Sequence, residues 1–197
     1  MGLEVGLQRG GDWTNQLGIA VNVSAVQLHS PHFPQLVHEA LFQTGLAPHR
    51  LELEITETAL IRDLTRALST LRLLKALGVR IAMDDFGTGY SSLSNLRAFP
   101  FDKIKIDGSF IKSVDLNEEA AAIVRAVLGL GKGLNLPVLA EGVETKGELQ
   151  VLNMEACTEA QGYLLGRPQP IDKFSGLVDK SGAPRAEDEA ELLRAVG

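Results

Sequence analysis

Short apolar runs alternate with longer amphipathic stretches along this sequence. The apolar runs are four to six residues long, which is typical of buried strands, and strands are predicted at residues 19–24, 51–55, 79–83, 103–106, 137–140 and 160–165. The intervening stretches have helical spacing, and helices are predicted at residues 34–44, 63–77, 92–98, 118–130 and 146–154. This alternation predicts right-handed βαβ units around a parallel sheet, and therefore an α/β fold.

A polar residue stands at the carboxyl end of each predicted strand. These residues are Asn22, Glu54, Asp84, Lys105, Glu141 and Gln161. In a β/α barrel the strand ends converge on one face, where the active site is assembled, whereas a doubly wound open sheet concentrates function at one switch point. Six polar strand ends therefore favour the barrel. A complete barrel has eight strands and about 250 residues. A chain of 197 residues is therefore expected to lack the first two strands.

Composition narrows the classes of function. With 25 acidic and 19 basic residues the formal net charge is −6, which argues against a nucleic-acid polymer as partner. The single cysteine, Cys157, excludes an internal disulfide and indicates a reducing compartment. No apolar segment reaches the roughly 20 residues that span a bilayer, and the first residues do not resemble a signal peptide. A cytoplasmic protein without a membrane segment is expected.

The last residues differ in composition from the rest. Residues 181–184 have the character of a hinge, and residues 187–191 are mostly acidic. We therefore predict one domain over residues 1–179, and a hinge with a short acidic tail over residues 180–197. The tail is interpreted either as a connector to a further module or as a solvated appendage.

Two adjacent aspartates, Asp84 and Asp85, follow one of the apolar runs. They open a glycine-punctuated, hydroxyl-rich loop through residues 86–93. Two neighbouring carboxylates repel each other unless they are protonated, solvated or shared by cations, so a divalent metal site is the first hypothesis. The alternative is an aspartate pair that caps the next helix.

Other charged strand ends also allow two interpretations. Period-two alternation places Glu52 and Glu54 on one face of their strand, where Glu54 is the better ligand candidate, and a solvated acidic face is the alternative. Lys105 could donate to a phosphate or orient a nucleophilic water. The alternative for this lysine is an ion pair with Asp102 or Asp107.

Three more positions beyond strand ends are candidates. Glu57 could hold a neighbouring loop through the backbone N–H groups of that loop. Of Glu141 and Glu144, one is a candidate ligand or base, and the other could begin a helix. Gln161 offers a neutral hydrogen-bonding group beside a glycine. Oxygen donors of these kinds suit hard cations such as Mg²⁺ or Mn²⁺ rather than zinc.

Taken together, these segments resemble the EAL-domain family of cyclic di-GMP phosphodiesterases. The matching motifs are Asn22-Val23-Ser24, Glu54-Ile55-Thr56-Glu57, Asp84-Asp85-Phe86-Gly87-Thr88-Gly89-Tyr90-Ser91-Ser92-Leu93, Lys105-Ile106-Asp107, Ala140-Glu141-Gly142-Val143-Glu144 and Gln161-Gly162-Tyr163. They cover roughly residues 13–178. The resemblance implies a TIM-like (β/α)8 barrel of the EAL type, metal-dependent hydrolysis of cyclic di-GMP to linear pGpG, and a two-metal site for Mg²⁺ or Mn²⁺.

The resemblance also implies roles for individual residues. The positions that match metal ligands of the family are Asn22, Glu54, Asp84, Asp85 and Glu141. Asp84 would bridge two cations, and Lys105 matches the lysine that contacts the attacking water, so Lys105 and Glu141 are the catalytic candidates. Gln161 and Asp107 are assigned to the ligand-binding side. Glu57 matches the glutamate that anchors the loop of residues 85–94.

One family motif has no counterpart here. The Glu-Ala-Leu segment, whose glutamate is a metal ligand in the family, is not found before Asn22, and residues 3–13 look like a helix instead. Without that ligand, weak or no hydrolysis is expected. The alternatives are a non-catalytic module that binds cyclic di-GMP and a dimerising fragment. An open barrel exposes strand edges, so self-association, most simply as a homodimer, is expected.

Overall fold

The computed structural model describes residues 15–88 and 93–178, and its central element is a parallel sheet. Six strands lie side by side in sequence order, and every neighbouring pair is parallel. They are β1 (Ile19–Val23), β2 (Leu51–Thr56), β3 (Arg80–Phe86), β4 (Lys103–Ile106), β5 (Val138–Ala140) and β6 (Glu159–Ala160). Within the described residues, β1 and β6 each pair with one strand only. A sequential parallel order is that of a β/α-barrel wall.

Helices connect the strands. They are α1 (Ala25–Leu28), α2 (Phe33–Thr44), α3 (Glu57–Ile61), α4 (Leu64–Ala76), α5 (Leu93–Ala98), α6 (Gly108–Ile111), α7 (Glu118–Leu134), α8 (Lys146–Met154) and α9 (Ser175–Val178). Short 3-10 helices cover Pro48–Arg50 and Ile171–Phe174. In the part of the chain that the structure describes, none of the helices combines the length and the apolar character that crossing a membrane requires.

The two faces of the sheet differ in polarity, as β2 shows. Leu51, Leu53 and Ile55 are fully buried in the apolar core that the helices cover. Glu52 and Glu54 alternate with them and point to the other face. The period-two interpretation of this strand is confirmed. The face that carries the glutamates is not part of the apolar core, so polar and charged side chains can lie there.

A lysine on β4 shows that the sheet is curved. Lys103 Nζ lies 2.6 Å from Glu159 Oε2 on β6 and 3.8 Å from Glu52 Oε2 on β2. β2 and β6 are four strands apart, which is about 19 Å in a flat sheet. One lysine can reach both glutamates only because the glutamate-bearing face is concave. In the part of the chain that the structure describes, this face is the interior of a barrel wall of six strands.

The last predicted strand is wrong beyond residue 160. The sheet ends at Ala160, and Gln161 N–H still donates to the carbonyl of Ala140 at 2.8 Å. Gly162 then lies so close to the backbone of Val143 that a Cβ there would overlap it, and the chain turns. The strand predicted at residues 79–83 is longer than expected, since β3 continues through both aspartates to Phe86.

The shortest helices were not predicted. α1, α3, α6 and α9 have four or five residues, too few to show helical periodicity. The first three of these helices begin within two residues of a strand end. α7 runs to Leu134, four residues beyond its predicted end. The expected helix at residues 3–13 and the predicted tail at 180–197 lie outside the described residues, as does the start of the helix predicted at 92.

One alanine occupies a backbone conformation that favours glycine. Ala156 follows α8 with φ of 56°, in the left-handed region. We expect Ala156→Gly to raise the free energy of unfolding by about 0.5–1 kcal/mol, because glycine adopts this φ without strain. Urea denaturation provides the measurement. Ala122→Gly, on the exposed face of α7, is the matched control and should cost about 1 kcal/mol. A lower urea midpoint for Ala156→Gly would contradict the expectation.

Candidate active site

A buried lysine lies at the centre of the carboxyl-terminal edge of the sheet. Lys105 on β4 is only 3% exposed. Its Nζ lies 2.6 Å from Glu54 Oε1, 2.7 Å from Glu141 Oε1 and 3.1 Å from Asp84 Oδ1. Burial alone lowers the pKa of Lys105, but the hydrogen bonds and charges of Glu141 and Glu54 outweigh it and raise the pKa above its usual range. The ammonium therefore stays charged at neutral pH.

Strand register explains why these groups meet. Glu54 faces the barrel interior two positions after Glu52, and its Cα is in register with Asn22 on β1. Asp84 lies near the end of β3, in register with Thr56. The carboxyl ends of parallel strands lie at one edge of the sheet, so side chains from four neighbouring strands converge there. Asn22 lies on the edge strand and is exposed.

The interpretation of Lys105 as a simple partner of Asp102 or Asp107 is wrong. Asp102 accepts from Lys75 Nζ at 2.7 Å and from the backbone N–H of Ile81 at 2.7 Å. Asp107 caps α6, where it accepts from Ser109 N–H at 3.0 Å. The capping interpretation of the aspartate pair is also wrong, because Asp84 and Asp85 belong to β3 itself.

A cluster of three carboxyl groups surrounds one point of the site. Oxygens of Asp84, Asp85 and Glu141 all lie within 4.8 Å of one another. Burial, followed by the charges of Asp84 and Asp107, raises the pKa of Asp85. Burial likewise raises the pKa of Glu141, although Lys105 opposes the shift. Holding these carboxyl groups close together therefore costs electrostatic free energy. A bound cation would offset the repulsion between them.

Asp84 has an unsatisfied oxygen. Its Oδ1 is buried and lies 3.1 Å from Lys105 Nζ in an ion pair, but it accepts no hydrogen bond from the described residues. Among the described residues no other donor reaches this atom. A buried oxygen without a donor costs free energy unless something else satisfies it. The residues present therefore fit a hard divalent cation, as their oxygen donors also do.

Glu57 contacts the first residues of the loop that follows β3. It is the first residue of α3 and is 2% exposed. Its Oε2 accepts a hydrogen bond from the backbone N–H of Gly87 at 3.3 Å. This is the loop-holding contact that the sequence allowed for. The rest of the loop, at residues 89–92, lies outside the described residues.

Gln161 extends the site toward a cavity. Its Nε2 donates to Glu141 Oε1 at 2.8 Å. The adjoining cavity has a volume of about 670 Å³ and is lined by Glu141, Gln161, Tyr163 and Arg167, among others. The guanidinium of Arg167 lies 4.4 Å from the centre of the Tyr163 ring. A cavity of this size accommodates a small organic ligand beside the carboxylates.

Three features of this region have no counterpart among the predictions from the sequence. Lys103, Glu52 and Glu159 form a second charged level in the barrel interior, two residues before Lys105 along β4. Glu148, rather than Glu144, is the carboxylate in the first turn of α8, and Thr145 caps that helix. The Thr145-x-x-Glu148 spacing is a capping-box signal that could have been found. The packing of the Phe110 ring on Gly87 has no signal in the sequence.

Comparisons with known proteins agree with this geometry. A model of the EAL domain family matches residues 3–168. An "Uncharacterized signaling protein" of Caulobacter vibrioides is 63% identical over 163 residues, which cover 83% of this chain and 20% of that protein. The chain therefore spans about a fifth of the length of this curated relative.

Solved structures extend the likeness to the fold. The "PaMucR Phosphodiesterase, c-di-GMP complex" aligns with a TM-score of 0.81 and 40% identity over 87% of this chain and 71% of that chain. The manganese/cy-diGMP complex of Klebsiella pneumoniae BlrP1 at pH 6 aligns with a TM-score of 0.78 and 32% identity over 84% of this chain and 42% of that chain. The TIM-like architecture is thereby confirmed, and the chain belongs to the EAL domain family.

Proposed function

We propose that this chain binds cyclic di-GMP and hydrolyses one of its phosphodiester bonds to give linear pGpG, with Mg²⁺ or Mn²⁺ and at the weak rate that the sequence leads us to expect. The observation that carries the proposal is the Lys105 ammonium held among Glu54, Asp84 and Glu141 at the carboxyl ends of the strands. The family membership supports it, as does the alignment with PaMucR, a phosphodiesterase in complex with c-di-GMP.

A pair of divalent cations would be held by the oxygen donors of this edge. We assign that role to Asn22, Glu54, Asp84, Asp85 and Glu141. When bound, the cations would polarise the phosphate and lower the pKa of the attacking water. The manganese/cy-diGMP complex of BlrP1, to which this chain aligns, supports a divalent cation as the cofactor.

We assign the other roles in the reaction to side chains of the protein. Lys105 has three N–H donors, and its ammonium can hold the attacking water while offsetting charge on the phosphate. Glu141 Oε1 is the candidate acceptor for the proton of that water, since burial raises its pKa toward a more basic carboxylate. Gln161 fixes Glu141 through its Nε2, and Asp107 is assigned with Gln161 to the ligand side.

Metal binding and turnover test the proposal together. We expect the chain to bind Mn²⁺ and to convert cyclic di-GMP to pGpG only when Mn²⁺ or Mg²⁺ is added after treatment with EDTA. Asp84→Asn should weaken Mn²⁺ binding by roughly tenfold or more, because it removes a charged donor. Asp63→Asn is the matched control, since Asp63 caps α4 away from the site and asparagine caps equally well.

Each outcome has a defined meaning. No Mn²⁺ binding, or equal loss in both variants, contradicts the proposal. Binding of cyclic di-GMP without turnover contradicts hydrolysis and indicates a non-catalytic binding module.

We further propose that the chain self-associates. Among the described residues β1 and β6 are edge strands, which leave backbone N–H and C=O groups open to another chain. Light scattering at micromolar concentration should therefore report a mass above that of one chain. A single monomeric species would count against this proposal.

A further inference from the structure

The last residues of β3 and the turn after it have an unusual backbone. Asp85 adopts φ of 53° although it is not a glycine, and Gly87 follows with φ of 100°. The carbonyl of Asp85 accepts hydrogen bonds from Thr88 N–H at 3.3 Å and from Thr88 Oγ1 at 2.9 Å. A left-handed aspartate costs roughly 1 kcal/mol or more and persists only where its surroundings enforce it.

Two side chains enforce this conformation by holding Gly87 from different elements. Glu57 Oε2 on α3 accepts the Gly87 N–H at 3.3 Å. The Phe110 ring on α6 contacts Gly87 so closely that a Cβ at Gly87 would lie 2.9 Å from Cε2 and 3.2 Å from Cζ. Phe110 is partly buried and packs against the apolar core, which limits the movement of its ring.

We propose that Phe110 is a positioning residue for Asp85. The ring fixes the distance between Gly87 and α6. Because only Phe86 separates Gly87 from Asp85, this packing also restricts the position of the Asp85 carboxyl group. Asp85 is thereby held next to Asp84 and Asp107, where it contributes to the three-carboxylate cluster. Phe110 has no polar atom and acts only through this packing. The inference rests on the proposed function to the extent that Asp85 is assigned to a metal.

Metal affinity is one test, with Mn²⁺ alone as the probe. We expect Phe110→Leu in the full chain to raise the dissociation constant for Mn²⁺ by roughly tenfold, as measured from the electron paramagnetic resonance signal of free Mn²⁺. Saturating Mn²⁺ should restore most of the lost turnover. Phe33→Leu is the matched control because Phe33 is a buried phenylalanine at the start of α2. It should lower stability and leave Mn²⁺ affinity unchanged.

Amide hydrogen exchange tests the turn without any metal. Phe110→Leu should speed exchange of the Gly87 and Thr88 N–H groups by roughly tenfold, because loss of the ring frees the turn to open locally. Phe33→Leu should leave these two rates unchanged. Unchanged exchange in Phe110→Leu, or equal acceleration in both variants, overturns the positioning role. If exchange responds but no variant binds Mn²⁺, the proposed function fails while the positioning of the turn stands.

Discussion

Replacing Lys105 with methionine is expected to lower the free energy of unfolding by about 3–5 kcal/mol at pH 7 in EDTA, because it leaves buried carboxylates without their cation. Glu54, Asp84 and Glu141 all lie within 3.1 Å of the ammonium that this change removes. Methionine fills the space of the aliphatic chain, so the loss measures charge rather than a cavity. Urea denaturation is the measurement. Turnover of cyclic di-GMP should also fall by roughly 100-fold or more.

The same variant has a defined pH dependence. Lys105 lowers the pKa of Glu141, so its removal raises that folded-state pKa further above 4.5, the ordinary value. A group with a raised folded pKa favours the folded state below its unfolded pKa and loses this contribution as pH rises through the folded pKa. The stability deficit of Lys105→Met should therefore be largest at neutral pH and shrink as the pH falls toward 4.5.

Lys103→Met is the matched control for this prediction. Lys103 also contacts two carboxylates, but its side chain is 17% exposed against 4% for Lys105. More solvent around the remaining glutamates makes the lost ion pairs less costly. We expect a smaller loss of stability and no change in turnover. Equal effects of the two substitutions would contradict a special role for Lys105.

A second large effect is expected from Glu148→Gln. Glu148 is 4% exposed, and its Oε1 accepts from Ser113 N–H at 3.1 Å. Its Oε2 accepts from the N–H groups of Glu144 at 2.8 Å and Thr145 at 2.9 Å. The carboxylate thus ties the segment before α7 to the start of α8. Glutamine would turn an N–H donor toward these donors, and we expect a loss of about 2–3 kcal/mol at pH 7 by urea denaturation.

At low pH we expect wild type and Glu148→Gln to have nearly the same free energy of unfolding. Burial raises the pKa of Glu148, but the hydrogen bonds from the Glu144, Ser113 and Thr145 backbone outweigh it, and the pKa lies below the ordinary 4.5. A lowered folded pKa stabilises the protein above the unfolded pKa, and the contribution disappears as pH falls through the folded pKa. The gap between wild type and Glu148→Gln should therefore close below pH 4.5. Glu144→Gln, an exposed neighbour, should change stability by less than about 0.5 kcal/mol.

The strands and the longer helices were predictable because their periodicity is local. The match of Lys103–Ile106 and Lys146–Met154 to their predicted ranges illustrates this. The polar strand ends also indicated where the site would lie. The partners of Lys105 were not predictable from the residues alone, because Glu54 and Glu141 approach it only through the curvature of the sheet. The same limit applies to Glu148, whose hydrogen bond from Ser113 joins residues 35 positions apart.

The charged level below the site has an evolutionary consequence. Glu52, Lys103 and Glu159 come from alternate strands, and the ammonium of Lys103 lies between the two carboxylates. A change at position 103 alone would leave like charges facing each other in the barrel interior. Residues 52, 103 and 159 should therefore covary as a set among relatives of this chain, although they are far apart in the sequence.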